Sequence, residues 1–161
     1  MRLLLSTALA CLMTTSSIGQ ESNNSNLTSD DYFNRGLGHL DIGNNEDAIA
    51  DFTNAIRIDP EYAEAYYKRG NAYRKLGNSE DAIADYTRAI RVDPDYAKAY
   101  ANRGYTKSNI AQTTTDYDDA FDDYNKAIQI DPESAKMYEM RAWCWLKLTD
   151  ITTPGLKEMN I

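Results

Sequence analysis

The chain has 161 residues, about one domain's worth, and its 42% hydrophobic and 26% charged content is ordinary for a soluble globular protein. A net charge of −8 argues against nucleic acid as a partner, because a phosphate backbone calls for clustered Lys and Arg. A single His rules out any His pair or His-based metal cluster.

The first residues differ from the rest. Met1 and Arg2 give a short positive end, Leu3 to Met13 is apolar or small, and Thr14 to Gly19 is small and polar. This three-part build predicts a secretory signal peptide over 1–19, and hence export to a periplasm, the outside or a secretory pathway. A frayed apolar N-terminus of a cytosolic protein is the alternative. The apolar run is too short for a lasting membrane span, which needs about 20 residues. Ala8 to Cys11 also resembles a bacterial lipobox, which would attach a lipid anchor at Cys11. If Cys11 is removed, Cys144 is the only cysteine left and no internal disulfide can form. Residues 20–28 are polar and read as a disordered linker. The linker contains two N-x-S/T sequons, at Asn23 and Asn26.

From residue 29 a word of 34 residues recurs. FTNAIRIDP ends at Pro60, YTRAIRVDP at Pro94 and YNKAIQIDP at Pro132. Upstream of each lies a matching half: YFNRG at 32–36, YYKRG at 66–70 and YANRG at 100–104. A period of this length signals stacked supersecondary units. In each second half, apolar residues fall at helical spacing, as in Ala48, Ile49, Phe52, Ala55 and Ile56. Asp-Pro closes that helix, and the proline is expected to open the next. Glycine within the first helix costs about 1 kcal/mol against alanine, so its recurrence at Gly36, Gly70 and Gly104 needs a reason. The expectation is close approach of Ala48, Ala82 and Ala120, with the aromatics as flanking wedges. The third unit carries four extra residues near Gln112 to Tyr117, expected as a longer loop. Tyr138, Arg141, Ala142 and Trp145 repeat the first-helix pattern once more before Pro154 and Gly155 break it.

The order aromatic, Gly, aromatic, Ala, aromatic, Ala, Pro resembles the tetratricopeptide repeat. Tyr32, Gly36, Ala48, Phe52, Ala55 and Pro60 carry it; so do Tyr66, Gly70, Tyr73, Ala82, Tyr86, Ala89 and Pro94; so do Tyr100, Gly104, Ala120, Tyr124, Ala127 and Pro132. The resemblance implies an all-α solenoid of antiparallel helix pairs, a right-handed superhelix of about seven helices. Its units are 29–62, 63–96 and 97–134, then a capping helix over 135–148 and a tail over 149–161. Leu156, Met159 and Ile161 are expected to fold back over Tyr138 and Trp145; an exposed patch that pairs two copies into a homodimer is the alternative. Arginine stands at 35, 69, 103 and 141 where the family often has Leu, and Asp51, Asp85 and Asp123 recur on the partner helices. Each Arg is expected to pair with the Asp of its own unit; a solvated Arg with its stem on the core is the other reading.

First helices line a concave groove in the family this resembles. By register that groove takes Phe33, Leu37, Tyr67, Lys68, Asn71, Arg74, Lys75, Lys98, Asn102, Tyr105, Lys136, Met140 and Trp143. Ala101 and Ser108 share this side. Its basic excess suits an extended peptide carrying carboxylates. Chaperone-binding members grip a terminal carboxylate with two Asn, two Lys and one Arg. Asn71, Asn102 and Lys136 match three of these positions, while Tyr67 and Met140 depart from the other two. The acids from Asp116 to Asp123 fail as a calcium loop on spacing and on the missing turn glycine. No nucleophile–base set, phosphate-binding loop or cofactor motif is present, so the expectation is a non-enzymatic interaction module, exported as a scaffold or assembly factor. A truncated paralogue of a longer repeat protein is a further reading.

Overall fold

The computed structural model describes residues 27–152, so the expected signal peptide, Cys11, the sequons and the fold-back of Leu156, Met159 and Ile161 lie outside the described residues. Seven helices follow one another: α1 (Ser29–Asp41), α2 (Asn45–Ile58), α3 (Ala63–Lys75), α4 (Ser79–Val92), α5 (Ala97–Ile110), α6 (Thr114–Ile130) and α7 (Ala135–Thr152). Among the described residues there is no strand, and no helix is long and apolar enough to cross a membrane. Each helix packs on its neighbour in sequence, so α1–α2, α3–α4 and α5–α6 are three hairpins stacked in a row, and α7 closes the row. First helices also touch each other, α1 with α3 and α5 with α7, whereas no comparable contact joins α2 to α4 or α4 to α6. The row therefore curves with the first helices on its inner side.

The core is small alanines under large rings. Ala48, Phe52 and Ala55 of α2, Ala82, Tyr86 and Ala89 of α4, and Ala120, Tyr124 and Ala127 of α6 are all fully buried. The repeated glycines receive these rings, which corrects the expectation of alanine pressed on glycine. A Cβ at Gly36 would lie 2.7 Å from Phe52 Cε1, and one at Gly70 would lie 2.8 Å from Tyr86 Cε1. Only at Gly104 does the alanine come first, through the carbonyl oxygen of Ala120 at 2.9 Å. A ring edge needs more room than a methyl group, so glycine is the residue that lets it reach the helix backbone.

The arginines pair as expected. Arg35, Arg69 and Arg103 each fork onto the Asp of their own unit: Nε to Asp51 2.8 Å, Asp85 2.7 Å and Asp123 3.0 Å, with Nη2 on the second oxygen in all three. The three Asp residues are buried, and a bidentate guanidinium is what makes that burial tolerable.

Three expectations change. The four extra residues of the third unit do not lengthen its loop: α5 is one residue longer than α3 and α6 three longer than α4, leaving the loop at three residues, 111–113. A capping box of Thr113 and Asp116 starts α6 a turn early and makes this possible. The other two turns use left-handed glycines, Gly43 (φ 79°) and Gly77 (φ 83°), a conformation that costs glycine nothing. Pro60 and Pro94 lie in the linking turns, and the next helices begin three residues later, capped by Tyr62 and Tyr96. Finally, α7 continues to Thr152, past the expected end at 148.

Candidate functional site

The inner side of the row carries a hydrogen-bond network that joins two first helices, α3 and α5. On α5, Asn102 Nδ2 donates to Asn71 Oδ1 of α3 at 2.8 Å and to the Tyr67 hydroxyl at 3.1 Å. Asn71 Oδ1 also accepts from the Tyr86 hydroxyl at 2.9 Å. Burial pushes that hydroxyl up to about 12, so it remains a donor at any ordinary pH. A second chain of contacts runs beside the first. The Arg74 guanidinium lies 5.5 Å from the Tyr105 ring, Tyr105 lies 5.6 Å from Trp143, and Lys147 Nζ sits 4.8 Å from the Trp143 ring. Cations at both ends of two rings tie α3, α5 and α7 together.

Between these lies a cleft of about 270 Å³ lined by Arg74, Asn102, Tyr105, Lys136 and Met140. Arg74 Nε, shielded from solvent, has no hydrogen-bond partner among the described residues. The Arg74 guanidinium also lies against the Tyr86 hydroxyl, so what it gives the cleft is its positive charge. Lys136 and, outside the cleft lining, Lys75 and Lys98 are exposed. Lys68 is half-buried and lies 3.6 Å from Glu64 of its own helix, a pair that offsets part of its charge.

The structure therefore assembles five of the residues placed on this side by register, with Tyr67, Asn71 and Trp143 as their support. It does not bring the rest together. Phe33 is a core residue, 6% exposed, stacked on Tyr62 at 4.8 Å, and Leu37 packs against the same cluster. Ala101 and Ser108 are buried too. Phe33 and Tyr67 hold equivalent positions and pack alike, Phe33 against Phe52 and Tyr62, Tyr67 against Tyr86 and Tyr96, but only Tyr67 has a hydroxyl, which accepts from Asn102. Tyr96, 5.0 Å from Tyr67, is a supporting residue that register missed. Its signal was the recurrence of Tyr62 and Tyr96 two residues after Pro60 and Pro94.

Some acids of the outer side are engaged within the fold. Asp116 caps α6, while Asp123 holds Arg103 and accepts from Lys107 Nζ at 2.9 Å. Among the described residues no group of three or more His, Cys, Asp and Glu is placed to hold a metal ion.

Comparison with known proteins agrees with this architecture. Models described as tetratricopeptide repeat match residues 63–96 and 97–134, and a model described as TPR repeat matches 36–77. The TPR domain of Sgt2 from Aspergillus fumigatus superposes with a TM-score of 0.70 at 26% identity, covering 77% of this chain and 81% of that one. The second TPR domain of human RPAP3, in complex with the HSP70 peptide SGPTIEEVD, gives 0.67 at 26% identity, covering 73% and 94%. The MamA protein gives 0.68 at 26% identity, covering 80% and 68%. No curated protein sequence matches the chain.

Proposed function

The chain belongs to the tetratricopeptide repeat family, and from that premise we propose that it is an interaction module whose inner cleft binds an extended, acidic segment of a partner protein. The observation that carries this reading is the convergence of the positive charges of Arg74 and Lys136 on a cleft lined by Asn102, Tyr105 and Met140. A carboxylate entering there gains charge-assisted hydrogen bonds, and the apolar part of the lining accommodates the neighbouring side chain. The RPAP3 domain, bound to a peptide ending in EEVD, supports the choice of an acidic ligand.

Selectivity for a chain terminus is not expected. Both amide hydrogens of Asn102 are spent on Asn71 and Tyr67, so this side chain has no donor left for a terminal carboxylate. Met140 supplies no charge. The groove should therefore read carboxylates along a segment. The test is anisotropy with labelled SGPTIEEVD and its C-terminally amidated form. Lys136→Glu should weaken both by at least about tenfold, as loss and reversal of one charge-assisted contact requires, while amidation changes affinity by less than that. Equal binding by the wild type and Lys136→Glu would refute the groove.

The first 19 residues support export of this module as a scaffold or assembly factor. Mass spectrometry of the mature N-terminus tests it: Gln20 supports free export, an acylated Cys11 a lipid anchor, and a retained Met1 ends the export reading.

A further inference from the structure

The open face of α7 carries a second site, and the repeats themselves state what it accepts. In the second and third units the first-helix arginine works in two directions. Its Nε and Nη2 fork onto the Asp of the following second helix, and its Nη1 reaches back to the preceding one, Arg69 to Thr53 at 2.9 Å and Arg103 to Thr87 at 3.0 Å. Each arginine also lies over the tyrosine three residues before it, at 5.7 and 5.5 Å. Arg141 keeps two of these three relations. Its Nη1 donates to Asn125 Oδ1 at 2.8 Å and its guanidinium lies 5.5 Å from the Tyr138 ring. Its Nε and Nη2 have no partner among the described residues, in which no helix follows α7 to bring the Asp. The fork is held in the bonding posture with its acceptor missing.

The surface around it is shaped accordingly. Phe121 of α6 and Tyr138, Arg141, Ala142 and Trp145 of α7 enclose a cavity of about 440 Å³. Trp145 is 60% exposed, and Tyr138 and Leu146 are exposed beside it. In the three complete units the equivalent face is covered by a helix that places Asp on the arginine and a ring on the glycine. Here alanine replaces that glycine. Its methyl occupies the space in which the Phe52 and Tyr86 rings approach Gly36 and Gly70. A helix seated on α7 must therefore carry an aliphatic residue after its acid.

We propose that this face is a docking site for an amphipathic helix of another protein, presenting Asp or Glu to the Arg141 fork and Leu or Met immediately after it to the cavity over Ala142. The continuation of this chain is the less suitable occupant. The nine residues 153–161 are fewer than the 14 to 17 of the helices that cover the other arginines, and their one acid is Glu158, so removal of 153–161 in the test below separates them from a partner's helix. A second copy is also unsuitable: Asp51, Asp85 and Asp123 are already buried against their own arginines, so among the described residues it has no second-type helix to lend.

The probe follows from the repeats: a labelled synthetic peptide of residues 78–94 of this chain with Tyr86→Leu, which carries the acid and an aliphatic neighbour at the right spacing. Anisotropy titration of the full chain should give saturable binding. Arg141→Ala in the protein, or Asp85→Asn in the probe, should each weaken it by about tenfold or more, and the two together no further. Ala142→Trp, which fills the cavity from an exposed position, should abolish it, with helicity by circular dichroism unchanged in both variants. Binding of SGPTIEEVD should not respond to Arg141→Ala, so this site and the inner groove stand or fall separately. Three results overturn the proposal: no binding of the probe or binding indifferent to Arg141→Ala; binding only after removal of 153–161, which makes the tail the occupant; or a dimer in sedimentation that Arg141→Ala dissociates, which makes it a second copy.

Discussion

Gly36 and Gly38 lie two residues apart in the same helix and so on opposite faces of it, and their substitution by alanine should move stability in opposite directions. At Gly38 nothing lies within 4 Å of an added Cβ, so alanine there restricts the unfolded chain and improves helix propensity by up to about 1 kcal/mol. At Gly36 the same gain meets a Cβ placed 2.7, 3.0 and 3.1 Å from three atoms of the Phe52 ring. That ring is fully buried and packed on Phe33, so it cannot swing aside. Overpacking of this kind costs about 1–3 kcal/mol, which leaves Gly36→Ala destabilised by about 1 kcal/mol and the two variants separated by about 2 kcal/mol. For a domain of this size the separation is roughly 6–10 °C in Tm. Urea denaturation followed by circular dichroism measures both. If Gly36→Ala proves as stable as Gly38→Ala, the ring does not rest on the glycine and the account of the repeated glycines fails.

The arginine pairs should rank by burial. Arg69 is 17% exposed and Arg35 is 44% exposed, so Arg69→Ala should cost about 3 kcal/mol by stranding Asp85, and Arg35→Ala about 1 kcal/mol, with only the latter shrinking in high salt. Denaturation of both variants at low and high salt checks the order. Backbone N–H groups of Gln112 and Thr113 hold the Asp116 carboxyl below its usual range. A carboxyl lowered in the folded state stabilises above the unfolded pKa near 3.9 and loses that contribution as pH falls through the folded value. Asp116→Asn should therefore lose less stability than the wild type between pH 7 and pH 3, measured by urea midpoints. Burial pushes the Cys144 thiol up to about 11, so in a Cys11→Ser chain iodoacetamide at pH 8 should label it only through opening of the fold. Labelling at the rate of a free thiol would place Cys144 at the surface.

What was legible in the sequence is what repeats. Period, helix pairing and the Arg–Asp forks all follow from residues that recur at constant spacing, because each copy repeats the same local environment. What departed from expectation lies where the copies differ. Four added residues look like loop in a composition of Thr and Gln, but Thr113 and Asp116 form a capping box, so they become helix. Phe33 shares its register and its ring contacts with Tyr67, but it is buried and has no hydroxyl to offer a ligand. The glycine seam was assigned to alanine because spacing shows which helices meet but not which side chain arrives first. The cleft residues Arg74, Asn102 and Lys136 were found by register alone, while the stack of Tyr105 on Trp143 was not, since it joins positions that differ between units.

The most direct test of the central claim is a ¹⁵N-correlation spectrum of the protein titrated with unlabelled SGPTIEEVD. Shifts gathered on the backbone amides of Asn102, Tyr105, Lys136 and Met140, and on the side-chain amide of Asn71, are the predicted result. Shifts confined to α2, α4 and α6, or none at saturating peptide, would contradict it.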